Sequence, residues 1–148
     1  MDTLIFTVLG GILVYVIGQI ILTRIIIPSQ ELKKTLSGIS NVLLLHQAKL
    51  ANASFDKEIS SEIKSKSAEV VSKTHVILWF AVVRLVFGLP SLKNIMSASR
   101  QLNLLSYNML IENNVDQRSS RSDFAFENIN VMRDIGRLLS IKTSYGEK

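Results

Sequence analysis

Residues 4–23 read LIFTVLGGILVYVIGQIILT, twenty consecutive positions without a formal charge. A stretch this long and this apolar reads as a transmembrane helix, because only a helix satisfies its own backbone polar groups inside lipid. Twenty residues rising 1.5 Å each reach about 30 Å, the thickness of a hydrocarbon core. Ahead of the run stand only Met1, Asp2 and Thr3. Behind it come Arg24, three isoleucines and Pro28. These flanks do not suit a cleaved leader: there is no basic n-region, the apolar run is too long, and no small-x-small cleavage site closes it. A soluble core helix would have to hide apolar side chains on every face within a very small protein. Residues 1–28 are therefore read as a membrane anchor.

Charge sets the expected topology. Arg24, Lys33 and Lys34 follow the span against Glu31, and positive charge favours the cytoplasmic side. The N-terminus is expected outside and the remaining residues in the cytoplasm, at a bacterial inner membrane. The Asn52-Ala53-Ser54 triplet is then no glycosylation site. The 148 residues carry 17 Lys and Arg against 12 Asp and Glu, a net charge of +5 with no basic run of the kind that binds nucleic acid. Beside a membrane, that excess reads as attraction to anionic headgroups. Cysteine is absent, which removes disulfides, thiolate nucleophiles and cysteine metal sites.

Within the span, Gly11 and Gly18 lie seven apart with Tyr15 between them, and Gln19 borders the same face. Small residues let a second helix approach closely, and an amide in lipid is satisfied by a neighbouring copy. Gly11, Tyr15, Gly18 and Gln19 are the expected self-association face. Arg24 is expected to snorkel to the headgroups.

Pro28 and Ser29 mark a break or the first turn of a new helix. Leu32, Leu36, Ile39, Leu43, His46 and Leu50 then recur at helical spacing, an apolar stripe that must pack on the domain itself or on another copy. A more polar helix follows, bearing Ile59, Ile63, Ser67, Val70 and Thr74, with Ser54 or Asp56 as its cap. Residues 76–89, VILWFAVVRLVFGL, form a second apolar block. As a helix of about 21 Å it is short for a span. The first expectation is a central core helix. The second is an interfacial or re-entrant helix, with Trp79 at headgroup level and Arg84 facing phosphates. A full second span would bury Arg84 and cross Gly88 and Pro90. Gly88, Pro90 and Ser91 punctuate the chain: Gly88 closes one helix and Ser91 caps the next. That next helix carries Leu92, Ile95, Met96, Ser99, Leu102, Leu105 and Met109, with Ser97, Ala98 and Ser99 small enough for close contact.

The expected architecture is all-α: one N-terminal transmembrane helix, then a bundle of about four helices. Its parts are the anchor 1–28, a helical cytoplasmic domain 29–112, an exposed loop 113–122, a C-terminal helix 123–142 packing on the domain, and a polar tail 143–148.

No residue cluster rises to a catalytic mechanism. His46 and His75 lack a metal-ligand spacing, and phosphate-loop, dinucleotide and nucleophile-elbow motifs are absent. His46 reads as a core or interface histidine; stems gathered about an axis would bring its copies together. Arg118 and Arg121 are the candidates for a phosphate or partner contact. No cofactor, small-molecule substrate or nucleic acid is expected. The expected partners are the bilayer, further copies of the chain and a second protein.

Residues 26–44, IIPSQELKKTLSGISNVLL, and 88–106, GLPSLKNIMSASRQLNLLS, resemble small bacterial membrane proteins with one N-terminal span and a helical soluble domain. The likeness rests on Pro28, Gln30 and Glu31 at a helix entry, on Gly88, Pro90 and Ser91 at a turn, and on Asn94, Ile95, Ala98 and Ser99 after it. It covers about half the chain and brings no activity or catalytic residue. The function expected is a membrane-anchored, self-associating scaffold, sensor or regulator without catalysis. The alternatives are an oligomeric membrane-perturbing or pore-forming effector, in which residues 76–89 insert, and a small membrane-bound enzyme.

Overall fold

The computed structural model describes residues 2–110 and 118–146, with side chains for 3–110 and 123–146. All regular elements among them are helices, as the sequence leads one to expect. Helix α1 (Asp2–Ile21) passes through a π-helical turn (Leu22–Ile26) into α2 (Ile27–Leu45), and Thr3–Leu45 forms one unbroken 43-residue helix. Pro28 sits in the first turn of α2, where a missing N–H is tolerated. It deprives the Arg24 carbonyl of its helical donor. The π-helical turn lies where this defect falls, and the Leu78 backbone N–H donates to that carbonyl at 3.4 Å.

Helix α3 (Gln47–Ala51) is a single short turn beyond His46. The Asp56 carboxylate accepts from the Glu58 and Ile59 N–H groups at 3.1 Å and starts α4 (Lys57–Val76). Helix α4 packs back along α2 toward the anchor, α6 (Leu92–Asn108) packs against α4, and α7 (Arg118–Leu139) packs on α6 and α3. The stem stripe fills the core: Leu32, Leu36, Ile39, Leu43 and Leu50 are buried against Ile59, Ile63, Val70, Ile95, Leu102, Leu105 and Ile135.

The α4–α6 seam is polar and close. Ser60 pairs with Ser106 and Ser67 with Ser99 through hydroxyls 2.9 and 2.7 Å apart, all four side chains buried. On each helix the two serines stand seven residues apart, so both pairs fall on one antiparallel seam. Each hydroxyl also reaches a backbone carbonyl on the facing helix. A second buried polar knot joins α3, α6 and α7. Asn108 donates to Asn128 Oδ1 at 2.9 Å, and Asn128 donates to the Leu50 carbonyl at 2.9 Å.

Three boundaries differ from the sequence reading. Residues 76–89 are not one core helix. α4 runs on to Val76, the chain turns at residues 77–79, and α5 (Phe80–Phe87) leaves at 110° to α4. The turn needs Trp79 in the left-handed region (φ 53°, ψ 42°), which costs a non-glycine residue about 1–2 kcal/mol. Helix α7 begins at Arg118 rather than Asp123, so residues 118–122 of the expected loop are helical; residues 113–117 lie outside the described residues. The tail folds back as far as described: the Ser40 hydroxyl donates to the Lys142 carbonyl, and Thr143 is buried. The punctuation at 88–91 is as read, with Gly88 at φ +63° closing α5 and the Ser91 hydroxyl accepting from the Asn94 N–H.

Candidate membrane-facing surface

The longest run of exposed apolar side chains lies along the N-terminal helix, and a second group lies at residues 76–86; Leu45, Tyr107, Phe126 and Tyr145 are exposed elsewhere on the domain. None of the most apolar 18-residue window of the 43-residue helix is buried by the fold. The few polar side chains of this apolar helix are largely met along the helix itself. Thr7 donates to the Thr3 carbonyl at 2.8 Å, Thr23 to the Gln19 carbonyl at 2.7 Å, and the Gln19 amide to the Tyr15 hydroxyl at 3.4 Å. Back-bonding of this kind lets hydroxyls and amides sit in an apolar helix without a separate partner. Gln19 thus has a contact within its own helix, where the sequence suggested one from another copy. A Cβ added at Gly10, Gly11 or Gly18 would meet nothing within 4 Å, so the small-residue face that includes Gly11, Tyr15 and Gly18 is open in a single chain. Arg24 is exposed, at the end of the uncharged run.

Helix α5 supplies the second part of this surface. Its inner side, Phe80, Val83 and Phe87, rests on the core. Its outer side is also apolar: Val82 is 63% exposed, Leu85 75% and Val86 77%. Trp79, at the start of the helix, is 71% exposed. By helical spacing Arg84 falls on the flank between the two apolar sides, and it is half-buried. Sequence reading singled out Trp79 and Arg84 but not Val82 and Val86. The block has apolar residues at nearly every position, and the break at Trp79 resets the helical phase, so no single face could be drawn through it.

The other expected sites are dispersed. Leu32, Leu36, Ile39, Leu43 and Leu50 serve the intramolecular core. His46 ends α2, half-buried, with Nε2 3.9 Å from a Glu62 carboxylate oxygen. Arg118 and Arg121 belong to the first two turns of α7; their side chains lie outside the described residues. Among the described residues no group of three or more His, Asp or Glu is placed to hold a metal ion.

One charged cluster ties α4 to the stem near the anchor. Glu69 accepts from the Thr35 hydroxyl at 2.9 Å, from Lys66 at 2.8 Å and from Lys73 at 2.7 Å. Lys66, then Lys73 and Thr35, hold the Glu69 carboxyl at about 2, well below its ordinary 4.5. Lys73 also reaches Glu31 at 3.2 Å, and its ammonium is held above its usual range, chiefly by Glu69. These pairs hold α4 along α2, and the turn that follows α4 meets the π-helical turn at Arg24. Comparison with family models, with curated proteins and with solved structures returns no match, so the resemblance drawn from residues 26–44 and 88–106 stands on those residues alone.

Proposed function

We propose that the protein is a membrane-anchored, self-associating scaffold, sensor or regulator, held at a bacterial inner membrane with its N-terminus outside and its helical domain in the cytoplasm. The observation that supports this most directly is the first half of the 43-residue helix, whose apolar window no part of the fold covers. Side chains that apolar, left in water on all sides, would drive association or precipitation, whereas a bilayer satisfies them. Self-association is assigned to the open face of Gly11, Tyr15 and Gly18, with Gln19 at its edge, because a second helix can approach closest there.

Because the chain contains no cysteine, single cysteines report helix contacts cleanly. In oxidised membranes Gly11→Cys and Gly18→Cys are expected to give disulfide dimers, and Leu13→Cys, on the opposite face, is not. Equal cross-linking at all three positions, or none, would remove the self-association. Release of the wild-type chain by alkaline carbonate would remove the anchor.

A further inference from the structure

We propose that α5 is a second membrane element, lying in the headgroup boundary of the leaflet from which α1 emerges, with Trp79, Val82, Leu85 and Val86 turned into lipid. The proposal rests on the reading of α1 as a span.

Three observations carry it. The first is height. The Leu78 N–H reaches the Arg24 carbonyl, so the α4–α5 turn sits where the uncharged run of the anchor ends. The second is direction. Helix α4 packs along α2, which continues the axis of α1, and α5 leaves α4 at 110°. With the span within about 20° of the membrane normal, α5 then runs nearly along the plane of the bilayer. The third is polarity. The inner side of α5 packs on the domain core, so its outer side points away from the domain, toward the membrane. That outer side is wholly apolar, and Val76 and Leu78 extend the exposed apolar surface back to the anchor. The surface is thus continuous with the one the bilayer already covers.

Tryptophan favours the headgroup level, where its ring is half in oil and its N–H half in water. Helices that bind in this way sink about 5–10 Å into the boundary. Arg84 on the flank and exposed Arg24 at the neck are placed for headgroup phosphates. A second copy of the chain is a weaker occupant: the outer side of α5 has only two turns, too small for a stable protein interface by itself.

Trp79 is the only tryptophan in the chain, so its fluorescence reports on α5 alone. The full chain is reconstituted into vesicles of phosphatidylcholine and phosphatidylglycerol, with and without bromine atoms high on the acyl chains. Trp79 emission is expected to fall about twofold with the brominated lipid, as suits a ring at the boundary, and to resist aqueous iodide. Quenching by iodide and not by bromine would overturn the proposal. Protection from both would overturn it too, because protein rather than lipid would then cover the helix. Leu85→Glu with Val86→Glu changes only exposed positions and is expected to hand Trp79 over to iodide. If that variant keeps the bromine quenching of the wild type, α5 is not what holds Trp79 in lipid. Carbonate extraction of the same vesicles separates the two claims: a chain that resists extraction while iodide reaches Trp79 keeps its anchor and loses α5.

Discussion

The backbone N–H of Leu78 donates to the carbonyl of Arg24, 54 positions earlier in the chain, at 3.4 Å. The acceptor is free because Pro28, one helical turn on, has no N–H to offer. The donor is free because the chain leaves its helix at Ile77. Each irregularity answers the other, and together they hold the end of α4 to the neck of the anchor. Replacing Pro28 with alanine gives Arg24 a donor inside its own helix. Leu78 is then expected to lose its acceptor, and its amide to exchange with solvent about fivefold faster, in keeping with about 1 kcal/mol for one such bond. Hydrogen exchange on the protein in nanodiscs would measure it; unchanged protection at Leu78 would show that the proline does not govern this contact.

The buried serine pairs make a paired prediction. In Ser67→Ala the Ser99 hydroxyl keeps only a 3.5 Å contact to the Ser67 carbonyl. The change is expected to lower stability by about 1–2 kcal/mol, and adding Ser99→Ala to recover part of that, since removing both partners leaves nothing unsatisfied. Urea unfolding in detergent, followed by circular dichroism, gives the comparison. Additive losses in the double variant would mean the two hydroxyls do not act as a pair.

Glu69 predicts an acid limit. Its carboxyl stands at about 2 in the folded chain against an ordinary 4.5. As pH falls through 4.5 the unfolded chain takes up the proton first, so the stabilisation present at neutral pH drains away between about 4.5 and 2. With its side chain 31% exposed to water, the cluster is expected to contribute about 1 kcal/mol rather than the full value of the shift. Glu69→Gln should lower the urea midpoint at pH 7 and flatten its fall toward pH 3. A variant whose midpoint follows the wild-type curve in parallel would assign the acid sensitivity elsewhere.

Two substitutions test backbone strain separately from packing. Ser140 follows α7 at φ 55°, and Ser140→Gly is expected to raise stability by about 1 kcal/mol by removing the Cβ penalty. Gly88 stands at φ +63° with open space where a Cβ would go, so Gly88→Ala is expected to lower stability by a similar amount, about 1 kcal/mol, through conformation alone. Thermal unfolding in detergent reads both, and shifts of the same sign would contradict the assignment.

Much of the architecture was legible because it follows from periodicity and caps. The long apolar N-terminal helix, the stripe from Leu32 to Leu50, the cap narrowed to Ser54 or Asp56, the cap at Ser91 and the stop at Gly88 are local patterns with local causes. The break at Trp79 was not legible. Tryptophan carries no signature of a left-handed backbone, and what the turn serves is a carbonyl 55 positions away in sequence. The buried pairing of Ser60, Ser106, Asn108 and Asn128 was not legible, because single polar residues reveal their partners only in three dimensions. The same holds for Thr143, buried in what composition presents as a loose polar tail. The outer face of α5 was half visible: its residues were marked as apolar, but which of them look away from the domain depends on the 110° bend.

A 43-residue helix carried through its π-helical turn is about 65 Å long, and less than half of that length would fit within a hydrocarbon core. If the first half is immersed as proposed, any lean of it would swing the far tip, and the contact between Arg24 and Leu78 would move with the domain. If the bilayer thins and the rod leans by about 10°, within the range that spans adopt to match thickness, the end near His46 sweeps several ångströms sideways. The domain is packed along that outer arm, so with residues 4–23 in a bilayer as proposed it would travel with the arm, and a change in membrane thickness would become a larger displacement of the domain.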